Sequence, residues 1–428
     1  MRLPHNEAPS WYQASVTRPP PAPTLSGDIQ ADVCVVGAGI AGCSAALHLA
    51  ERGYKVVLLE AERVGFGASG RSGGQLIPGY ASGQAPLVSQ LGHDDARRLW
   101  DFTVEGVNLV RERVSRHRID CDLAWGHLHA AIKPRQREEL AAWHREFEDD
   151  YGYRSTRMME RTEIESLLAT NRYCAGLYDT DAGHLHPLKY VLGLGAAAQA
   201  AGARLYEGSR VTAIERGQTV TLRTAAGSVH AKHVALCGNV GLGDISPVLA
   251  RRVLGIATYI VATRPLGAER AAALVRNNIA VADINWIIDY FRLSPDHRML
   301  FGGRVSYSGI DPVGTARATR QRMLRVFPQL ADIEIEFAWG GFLDITMNRA
   351  PNFGRLDHNL YFLQGFSGHG MVLTGIAGKI VAEAIAGQAE RFDVYERIRH
   401  HDFPGGMLLR RPTLVMAMMW FRLRDLLP

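Results

Sequence analysis

The chain has 428 residues, of which 47% are hydrophobic and 21% are charged. These proportions are typical of a globular protein and exclude global disorder, and the length predicts two or three domains. The formal net charge is +5, but the basic residues are scattered along the chain, which argues against a nucleic-acid partner. The five cysteines form no CxxC pair, so we expect neither a disulfide framework nor a metal site.

The first 27 residues are polar and proline-rich, and we interpret 1–27 as an N-terminal extension. They lack the apolar core of a secretory signal. No apolar run approaches the roughly 18 residues that a membrane-spanning helix needs. Together with the cysteine usage, these features predict a cytoplasmic protein.

The first recognisable unit is a strand, a turn, a helix and a second strand. Residues 31–36 are rich in β-branched side chains, which is typical of a buried parallel strand. Residues 43–52 are predicted to form a helix that packs on the sheet, and residues 55–60 the next strand. The turn at 37–42 has the sequence GAGIAG, which in this setting predicts a dinucleotide-binding site.

Each residue type in this unit has a physical role. Gly37 permits the tight turn, Gly39 lets a pyrophosphate approach the backbone, and Gly42 lets the helix and the strand pack closely. The free N–H groups of the helix N-terminus then face the phosphates. Glu60 ends the second strand, where its carboxylate would accept hydrogen bonds from the ribose hydroxyls.

A second glycine-rich loop follows at 62–75. Its side chains at Arg63, Ser69 and Arg71 would hold the phosphate and ribitol of a second nucleotide. An NAD-linked dehydrogenase is the alternative enzyme class, but it gives no reason for this loop. We also assign to the cofactor site the loop residues Gly70, Gly73, Gly74 and Gln75.

The middle of the chain predicts two groups of elements. The first comprises helices at 96–116, 136–149 and 187–201, and strands at 126–133, 203–206, 211–214, 220–224, 229–231 and 233–239. The second comprises strands at 253–263, 286–293 and 299–305, whose alternation indicates an antiparallel sheet in a second domain. The strand that ends at Gly238 would lie near the cofactor, and Val211 is assigned to the same site.

A third glycine-rich turn, GFSGHG at 365–370, stands between a predicted strand at 359–363 and a predicted helix at 374–386. A turn of this kind that opens a late helix is a natural place for contacts with a flavin ring. We therefore assign to the cofactor site Gly365, Ser367, Gly368, His369 and Gly370.

These motifs resemble those of the flavin amine oxidases of the D-amino-acid oxidase superfamily, which include sarcosine and glycine oxidases. The similarity is greatest to the bacterial γ-glutamylputrescine oxidoreductase group, which also includes L-pipecolate oxidases. It extends over nearly the whole chain and is carried by GAGIAG (37–42), LLE (58–60), GFGASGRSGGQ (65–75), HLHP (184–187) and QGFSGHG (364–370).

The resemblance implies an α/β fold in which a doubly wound, discontinuous FAD-binding domain carries a second, substrate domain built on a mixed or antiparallel sheet. We expect the FAD-binding domain at 28–85, 166–246 and 341–400, the substrate domain at 86–165 and 247–340, and a C-terminal tail at 401–428.

The sequence departs from the sarcosine oxidases at several positions. Residues 340–348 contain no cysteine, so we expect non-covalent FAD. Gln75 and Val372 stand where those enzymes hold the substrate carboxylate, and Leu300 stands where they carry an oxygen-activating lysine. The electron acceptor is therefore expected to be either O2 or a quinone.

Four side chains are candidates for catalysis or substrate binding. Arg304 is on a predicted central strand, and its planar guanidinium suits a carboxylate; Arg349 is the second candidate. Tyr290 would bound the pocket, and His369 would contact the flavin. The alternative is an ion pair for each arginine and ordinary packing for Tyr290. His369 could instead have a structural role or act as a base.

The implied reaction is hydride transfer from the carbon beside a neutral amine to FAD, which gives an imine. Because Arg304 would place a cation beside the flavin, we favour a cyclic imino acid such as L-pipecolate as the substrate. γ-Glutamylputrescine, a primary amine with distant carboxylates, is the alternative. A flavin-binding protein without redox turnover is a third possibility.

The tail contains eight apolar residues at 414–421, including Trp420, with arginines on both sides. This pattern suits a helix that lies in a membrane surface. It equally suits a helix that packs on the substrate domain or on a second subunit. Two locations therefore stay open, the cytoplasm and the periphery of the inner membrane.

Overall fold

The computed structural model of the protein describes residues 9–306 and 314–405, so the predicted tail helix at 414–421 lies outside the described residues. The helices are α1 (Trp11–Ala14), α2 (Ile40–Glu51), α3 (Ala85–Leu91), α4 (His93–Arg116), α5 (Pro134–Asp149), α6 (Arg161–Leu167), α7 (Pro187–Ala200), α8 (Pro247–Arg252), α9 (Ala268–Leu274), α10 (Thr315–Val326), α11 (Gly370–Ile385) and α12 (Glu390–Glu396). The strands are β1 (Gly27–Val36), β2 (Val56–Leu59), β3 (Gln75–Leu76), β4 (Ala124–Ala131), β5 (Thr156–Glu160), β6 (Ala175–His184), β7 (Arg204–Tyr206), β8 (Ala213–Glu215), β9 (Val220–Arg223), β10 (Gly227–Leu236), β11 (Leu254–Thr263), β12 (Ala280–Asp283), β13 (Tyr290–Leu293), β14 (Met299–Ser306), β15 (Ile335–Ile345), β16 (Asn352–Asp357) and β17 (Leu360–Gln364).

The first sheet has the strand order β16-β17-β10-β1-β2-β7, and β9 and β8 continue it from β10. Strand β1 pairs in parallel with β10 and with β2, and the parallel pairing extends to β17 and β7. Both faces of β1 are covered at its C-terminal end, which is why residues 33–36 form a continuous apolar run. Val33 and Val35 face the core under the helices, whereas Cys34 and Val36 face a second core that includes Val211.

Helices α2 and α11 lie in close contact on this sheet. A Cβ added to Gly378 would stand 2.6 Å from the Ala41 carbonyl oxygen, so only glycine permits this approach. The Ser44 hydroxyl donates a hydrogen bond to the Gly375 carbonyl over 2.6 Å. The contact places the N-termini of both helices, and therefore the first and third glycine-rich turns, on the same side of the molecule.

The second sheet has the strand order β15-β11-β14-β13-β12-β4-β6-β3, with β5 paired to β6. Its pairings are antiparallel apart from the parallel pair β12–β4. One face packs on a core in which Phe291 stacks on Phe301 and meets Phe327 edge-on, with ring centroids 6.0 and 5.0 Å apart. Two packed sheets, one doubly wound and one mostly antiparallel, confirm the predicted fold class.

Two strands belong to a different sheet from the one that the predicted segments imply. Strands β3 and β6 lie within the segments assigned to the FAD-binding domain, yet both pair in the second sheet. The domain boundaries therefore stay a prediction, and two strands from the FAD-binding segments pair in the second sheet.

Four predicted elements have the wrong extent. The strands at 229–231 and 233–239 are one strand, β10, because it pairs in unbroken register with β1. The strand at 286–293 begins only at Tyr290, since the Asp283 carboxylate accepts hydrogen bonds from the N–H groups of Asn285 and Asp289 and so folds the preceding residues into a loop. The last long helix begins at Gly370, four residues before the predicted start.

The described part of the N-terminal extension is anchored in the core. Trp11 and Tyr12 are buried, and Tyr12 packs edge-on against Trp339 with centroids 5.2 Å apart. The Trp11 indole N–H donates to Asp296 over 3.2 Å. This short helix therefore ties the extension to the second sheet.

Among residues 9–306 and 314–405, no single helix has the length and apolar composition needed to cross a membrane; α11 and α12 together would pass that test, but the chain bends by 117° between them.

Candidate active site

The first glycine-rich turn has the close contacts that its sequence predicts. The Gly37 N–H donates to the Leu59 carbonyl over 2.7 Å, and Gly37 has a φ of +100°, a region that favours glycine. A Cβ at Gly42 would lie 1.8 Å from the Gly37 carbonyl oxygen. The turn can therefore close only with glycine at both positions, and it leads directly into the N-terminus of α2.

Glu60 lies at the end of β2 beside this turn. Its carboxylate accepts hydrogen bonds from the Ala38 N–H at 2.7 Å and from the Glu62 N–H at 2.9 Å. Burial raises the pKa of Glu60, and the nearby Glu207 carboxylate contributes. Each carboxylate oxygen has a second lone pair, so Glu60 can still accept hydrogen bonds from a ribose.

The second glycine-rich loop folds over the first. The Ser69 hydroxyl accepts a hydrogen bond from the Ile40 N–H, at the start of α2, over 3.0 Å. The Gly65 N–H donates to the Ala38 carbonyl over 3.0 Å. A Cβ at Gly70 would lie 2.1 Å from the Gly65 carbonyl oxygen. Ser69 therefore stands at the helix end where phosphate would bind.

The two arginines of this loop contact other parts of the protein. Arg63 forms an ion pair with Glu207 over 2.9 Å and donates to the Pro19 carbonyl. Arg71 is buried, and its Nε donates to the Gly340 carbonyl over 2.6 Å. Burial lowers the pKa of Arg71 to about 10. These contacts link the loop to the N-terminal extension and to β15, and a nucleotide-binding role for either arginine stays a prediction.

The third glycine-rich turn is held by Asp344, a residue that the sequence analysis did not select. Its carboxylate accepts hydrogen bonds from the N–H groups of Gly365 and Phe366. Gly365, Ser367 and Gly368 all have positive φ, at 79°, 52° and 95°. Burial raises the pKa of Asp344, and the two backbone N–H groups oppose that rise. The only sequence signal was a lone aspartate in an apolar strand.

One cavity of about 940 Å³ extends from the second and third glycine-rich turns into the second sheet. It brings together eight residues predicted from sequence. They are Gly73, Gly74, Gln75, Tyr290, Arg349, Ser367, Gly368 and His369.

Tyr290 is the first residue of β13 and pairs with Gly302 on β14 and Ala282 on β12. A Cβ at Gly302 would stand 2.1 Å from the Tyr290 Cζ, and a Cβ at Gly73 would stand 2.6 Å from its Cε2. The phenol ring thus occupies a slot that two glycines leave open. Burial raises the pKa of Tyr290, so the hydroxyl is protonated at neutral pH.

Arg349 and His369 approach the cavity from the other side. The Arg349 guanidinium lies over the Trp286 ring, 5.2 Å from its centroid. Burial and the positive charge of Arg349 lower the pKa of His369 to about 4. A neutral imidazole and a cation therefore stand on the same wall.

A pair of histidines on β4 was missed by the sequence analysis. The rings of His127 and His129 are 4.5 Å apart, and His127 Nε2 lies 3.4 Å from the Gln75 side-chain oxygen. Burial lowers the pKa of His129 to about 4 and holds the pKa of His127 well below its usual value. The alternation of histidine with apolar residues on a strand was the only available signal.

Arg292, also missed, is buried behind the second loop. Its guanidinium donates to the carbonyls of Gly73 at 2.9 Å and Leu185 at 3.0 Å, and to the Tyr12 hydroxyl at 3.1 Å. These bonds tie the loop to the second sheet and to the N-terminal helix. Its position in an alternating strand gave no indication of this role.

Three further predicted residues, Val211, Gly238 and Gly370, are not among the residues that line the cavity. The backbone of Arg304 on β14 pairs with that of Tyr259 on β11, and the Arg304 side chain lies outside the described groups. Val211 is buried in the core of the first sheet, and Gly238 follows β10, where a Cβ would lie 2.8 Å from Leu242. Gly370 is the first residue of α11. In the part of the chain that the structure describes, no group of three or more His, Cys, Asp or Glu residues is placed to hold a metal ion.

FAD fits this arrangement. At Gly39 an added Cβ would stand 2.9 Å from the Ser69 hydroxyl, so glycine is needed at this position. The Ile40 N–H already bonds Ser69, but the other N–H groups in the first turn of α2 have no acceptor within the helix and can face a pyrophosphate. Glu60 supplies acceptors for a ribose. The second and third glycine-rich turns meet at one cavity, as an extended dinucleotide with a reactive ring requires.

Comparison with known proteins decides the family. The family model described as "FAD dependent oxidoreductase" matches residues 32–384. The chain therefore belongs to the FAD-dependent oxidoreductase family. Its cofactor is FAD, and its chemistry is the FAD-dependent oxidation of an amine or amino acid, as the motifs predict.

Individual relatives agree with this assignment. The chain is 42% identical to the gamma-glutamylputrescine oxidoreductase of Escherichia coli K12, over 97% of this chain and 98% of the relative. Among solved structures, glycine oxidase from Geobacillus kaustophilus superposes with a TM-score of 0.73 at 20% identity, covering 87% of this chain and 100% of that one. L-Proline dehydrogenase from P. horikoshii superposes with a TM-score of 0.71 at 18% identity, covering 87% and 98%.

Proposed function

We propose that this protein oxidises the primary amine of γ-glutamylputrescine, or of a closely similar γ-glutamyl diamine, to an aldehyde. The similarity to an enzyme named for that substrate, at 42% identity over nearly the full length of both chains, supports the proposal. No finding favours L-pipecolate, the imino acid that we placed first from the sequence. We therefore place the primary amine ahead of it.

The charges on the cavity wall carry the proposal. Among the described residues that line the cavity, one is an arginine or lysine, Arg349, and four carry carboxyl groups. They are Glu139, Glu146, Asp179 and Asp283. Among these described residues the carboxyl groups outnumber the arginine, which favours a substrate with two ammonium groups over a compact imino acid whose carboxylate lies beside the reacting carbon.

In the proposed reaction, the C–H bond next to a neutral amine breaks and its hydrogen leaves with the electron pair, while the nitrogen lone pair forms a C=N bond. Bound FAD supplies the two-electron acceptor. Water then hydrolyses the imine to an aldehyde and ammonia. The protein's part is to bind and orient the amine and to limit access of water.

The cavity residues are suited to positioning. Tyr290 is fixed between Gly73 and Gly302, and its hydroxyl oxygen can accept a hydrogen bond from an N–H of the amine, which leaves the nitrogen lone pair free to form the C=N bond. His129 and His369, with pKa values lowered to about 4, are weak bases. We therefore assign the histidines to the cavity wall and expect the amine to lose its proton to solvent before it reacts.

The proposal is tested by anaerobic reduction of the purified holoenzyme. γ-Glutamylputrescine should bleach the flavin absorbance rapidly, and L-pipecolate should do so slowly or not at all. Faster bleaching by L-pipecolate would reverse the assignment. In that case Arg304→Ala should raise KM for L-pipecolate, by about 2–5 kcal/mol of lost binding if the arginine pairs with a desolvated carboxylate.

The electron acceptor and location form the second part of the proposal. Leu300, buried on β14, offers no cation to activate oxygen, which favours a quinone, and the apolar tail at 414–421 would then dock a cytoplasmic enzyme on the membrane. The full chain and a chain ending at Arg411 should be compared in flotation with anionic liposomes, and the turnover of the full chain should be compared with O2 and with a soluble quinone. Equal flotation, or equally fast turnover with O2, would contradict this part.

A further inference from the structure

We propose that the end of the cavity beside α5 is a specificity subsite for an amino-acid head group at the far end of the substrate from the oxidised carbon. The inference rests on the proposed function and deepens it, because it assigns residues to the γ-glutamyl group. It would explain how the enzyme distinguishes a γ-glutamyl amine from a free diamine.

Helix α5 presents one continuous face to this end of the cavity. Glu139, Trp143, Glu146 and Phe147 are spaced by four, three and one residues, which places them on one side of a helix. All four line the cavity. The face therefore combines two carboxylates with two aromatic rings.

The opposite wall is formed by residues 79–84 and Trp100. The Gly79 N–H donates to the Thr103 hydroxyl over 2.9 Å, and this bond holds the segment on α4. Trp100 lies 4.7 Å from Phe147 between ring centroids. The two walls thus meet through aromatic contact at the closed end.

The unpaired amide of Gln84 indicates that a ligand binds at this end of the cavity. Its side chain is 5% exposed and it lines the cavity. Neither its amide oxygen nor its amide nitrogen has a hydrogen-bond partner among the described residues. Buried amides are nearly always hydrogen-bonded, and a rotation that turns this amide toward the cavity would let a bound polar group satisfy it.

The subsite and the reactive end belong to one cavity, and the pair of His127 and His129 lies between them. His127 contacts Gln75 of the second glycine-rich loop, the His129 ring is tilted by 60° to the His127 ring, and Trp143 meets His129 edge-on with centroids 5.9 Å apart. An extended substrate would pass His129 between the flavin side and α5. A compact imino acid would not reach α5.

The chemistry of the subsite matches both charges of an amino-acid head group. The Glu146 carboxylate can accept hydrogen bonds from the ammonium, and the ring of Trp143 can contact the same cation. The Gln84 amide nitrogen can donate to the carboxylate of the substrate. Burial raises the pKa of Glu146 and of Glu139, with Arg135 opposing the rise at Glu139, and a bound cation would stabilise the charged form of both carboxylates.

The test compares Glu146→Gln and Gln84→Leu with the parent, on γ-glutamylputrescine and on N-acetylputrescine, which keeps the amine and the amide but lacks the head group. Each variant should lower kcat/KM for γ-glutamylputrescine by about 10-fold or more, chiefly through KM. Activity on N-acetylputrescine and the ratio of flavin to protein absorbance should stay unchanged. Glu138→Gln is the matched control, because Glu138 is exposed on the same helix and does not line the cavity.

A binding measurement separates the two proposals. γ-Glutamyl-n-butylamide has the head group but lacks the terminal primary amine, and in calorimetry it should bind the parent holoenzyme at least about 10-fold more tightly than Glu146→Gln. Binding without flavin bleaching by γ-glutamylputrescine would overturn the proposed function and leave the subsite. Equal binding to both proteins, or equal losses on both amines, would overturn the subsite.

Discussion

The Arg292 Nε donates a hydrogen bond to the Gly73 carbonyl over 2.9 Å. A buried arginine of the second sheet therefore holds the second glycine-rich loop in place. The same guanidinium bonds Leu185 and Tyr12, which makes it a common anchor for three separate segments. Because arginine presents several donors in one plane, it can serve three acceptors in different directions.

Arg292→Lys should therefore destabilise the protein and weaken FAD retention together. A single ammonium cannot reach all three oxygens, and each buried acceptor left unpaired costs about 1–3 kcal/mol. We expect a lower Tm and faster loss of flavin on dilution. Arg264→Lys is the control, since Arg264 pairs with Glu334 at an exposed position; equal effects of both variants would contradict the anchoring role.

Glu60→Gln should weaken FAD binding more than it weakens the fold. In the parent, the Glu60 carboxylate accepts hydrogen bonds from the N–H groups of Ala38 and Glu62. In the variant, the amide NH2 group would face one of these two N–H groups. Loss of a charge-assisted ribose contact is expected to cost about 1.5–3 kcal/mol. The measurement is FAD dissociation followed by flavin fluorescence, and an unchanged dissociation constant would remove Glu60 from the site.

Non-covalent attachment is a separate expectation. Acid precipitation of the yellow protein should release intact FAD into the supernatant, because the stretch 340–348 has no cysteine. Yellow colour that stays with the pellet would show a covalent bond. The supernatant flavin should be identified by chromatography against FAD and FMN standards.

Gly302→Ala should impair catalysis while the flavin is retained. Its Cβ would stand 2.1 Å from the Tyr290 Cζ, so the phenol must move. We expect kcat/KM to fall by about 100-fold, the size of effect that a displacement near 1 Å has in an active site. Gly341→Ala is the control, because its Cβ would make an ordinary contact of 3.4 Å with Arg71, and it should leave kcat/KM near the parent value.

His129→Gln should make the protein less sensitive to acid. The folded state holds the pKa of His129 at about 4, below the value near 6.5 of an unfolded chain, so the unfolded state binds more protons between these values. Stability is then lost as the pH falls from about 6.5 to 4. Tm measured at pH 7 and 4.5 should differ less in the variant than in the parent.

His93→Gln, at an exposed position on α4, provides the comparison for that effect. Other buried histidines also have lowered pKa values, including His184 and His186, each at about 3. A single substitution should therefore only partly reduce the loss of Tm between pH 7 and 4.5. A loss of Tm in His129→Gln as large as that in the parent would contradict the lowered pKa of His129.

The sequence by itself determined the nucleotide-binding unit and the fold class. Turns such as that at Gly37 and Gly42 impose their requirements locally, since a Cβ would collide with the backbone of the same turn. The apolar run of β1 predicts a strand covered on both faces for the same local reason. Such features can be recognised without knowledge of any distant residue.

Only the tertiary structure decided which side chains meet in the cavity. Asp344 and Gly365, or His129 and Trp143, are brought together by strand pairing and helix packing. A lone aspartate or histidine has the same local pattern whether it binds a distant turn or faces solvent. Burial and hydrogen bonding between remote segments give these residues their roles, and neither is encoded in the neighbouring sequence.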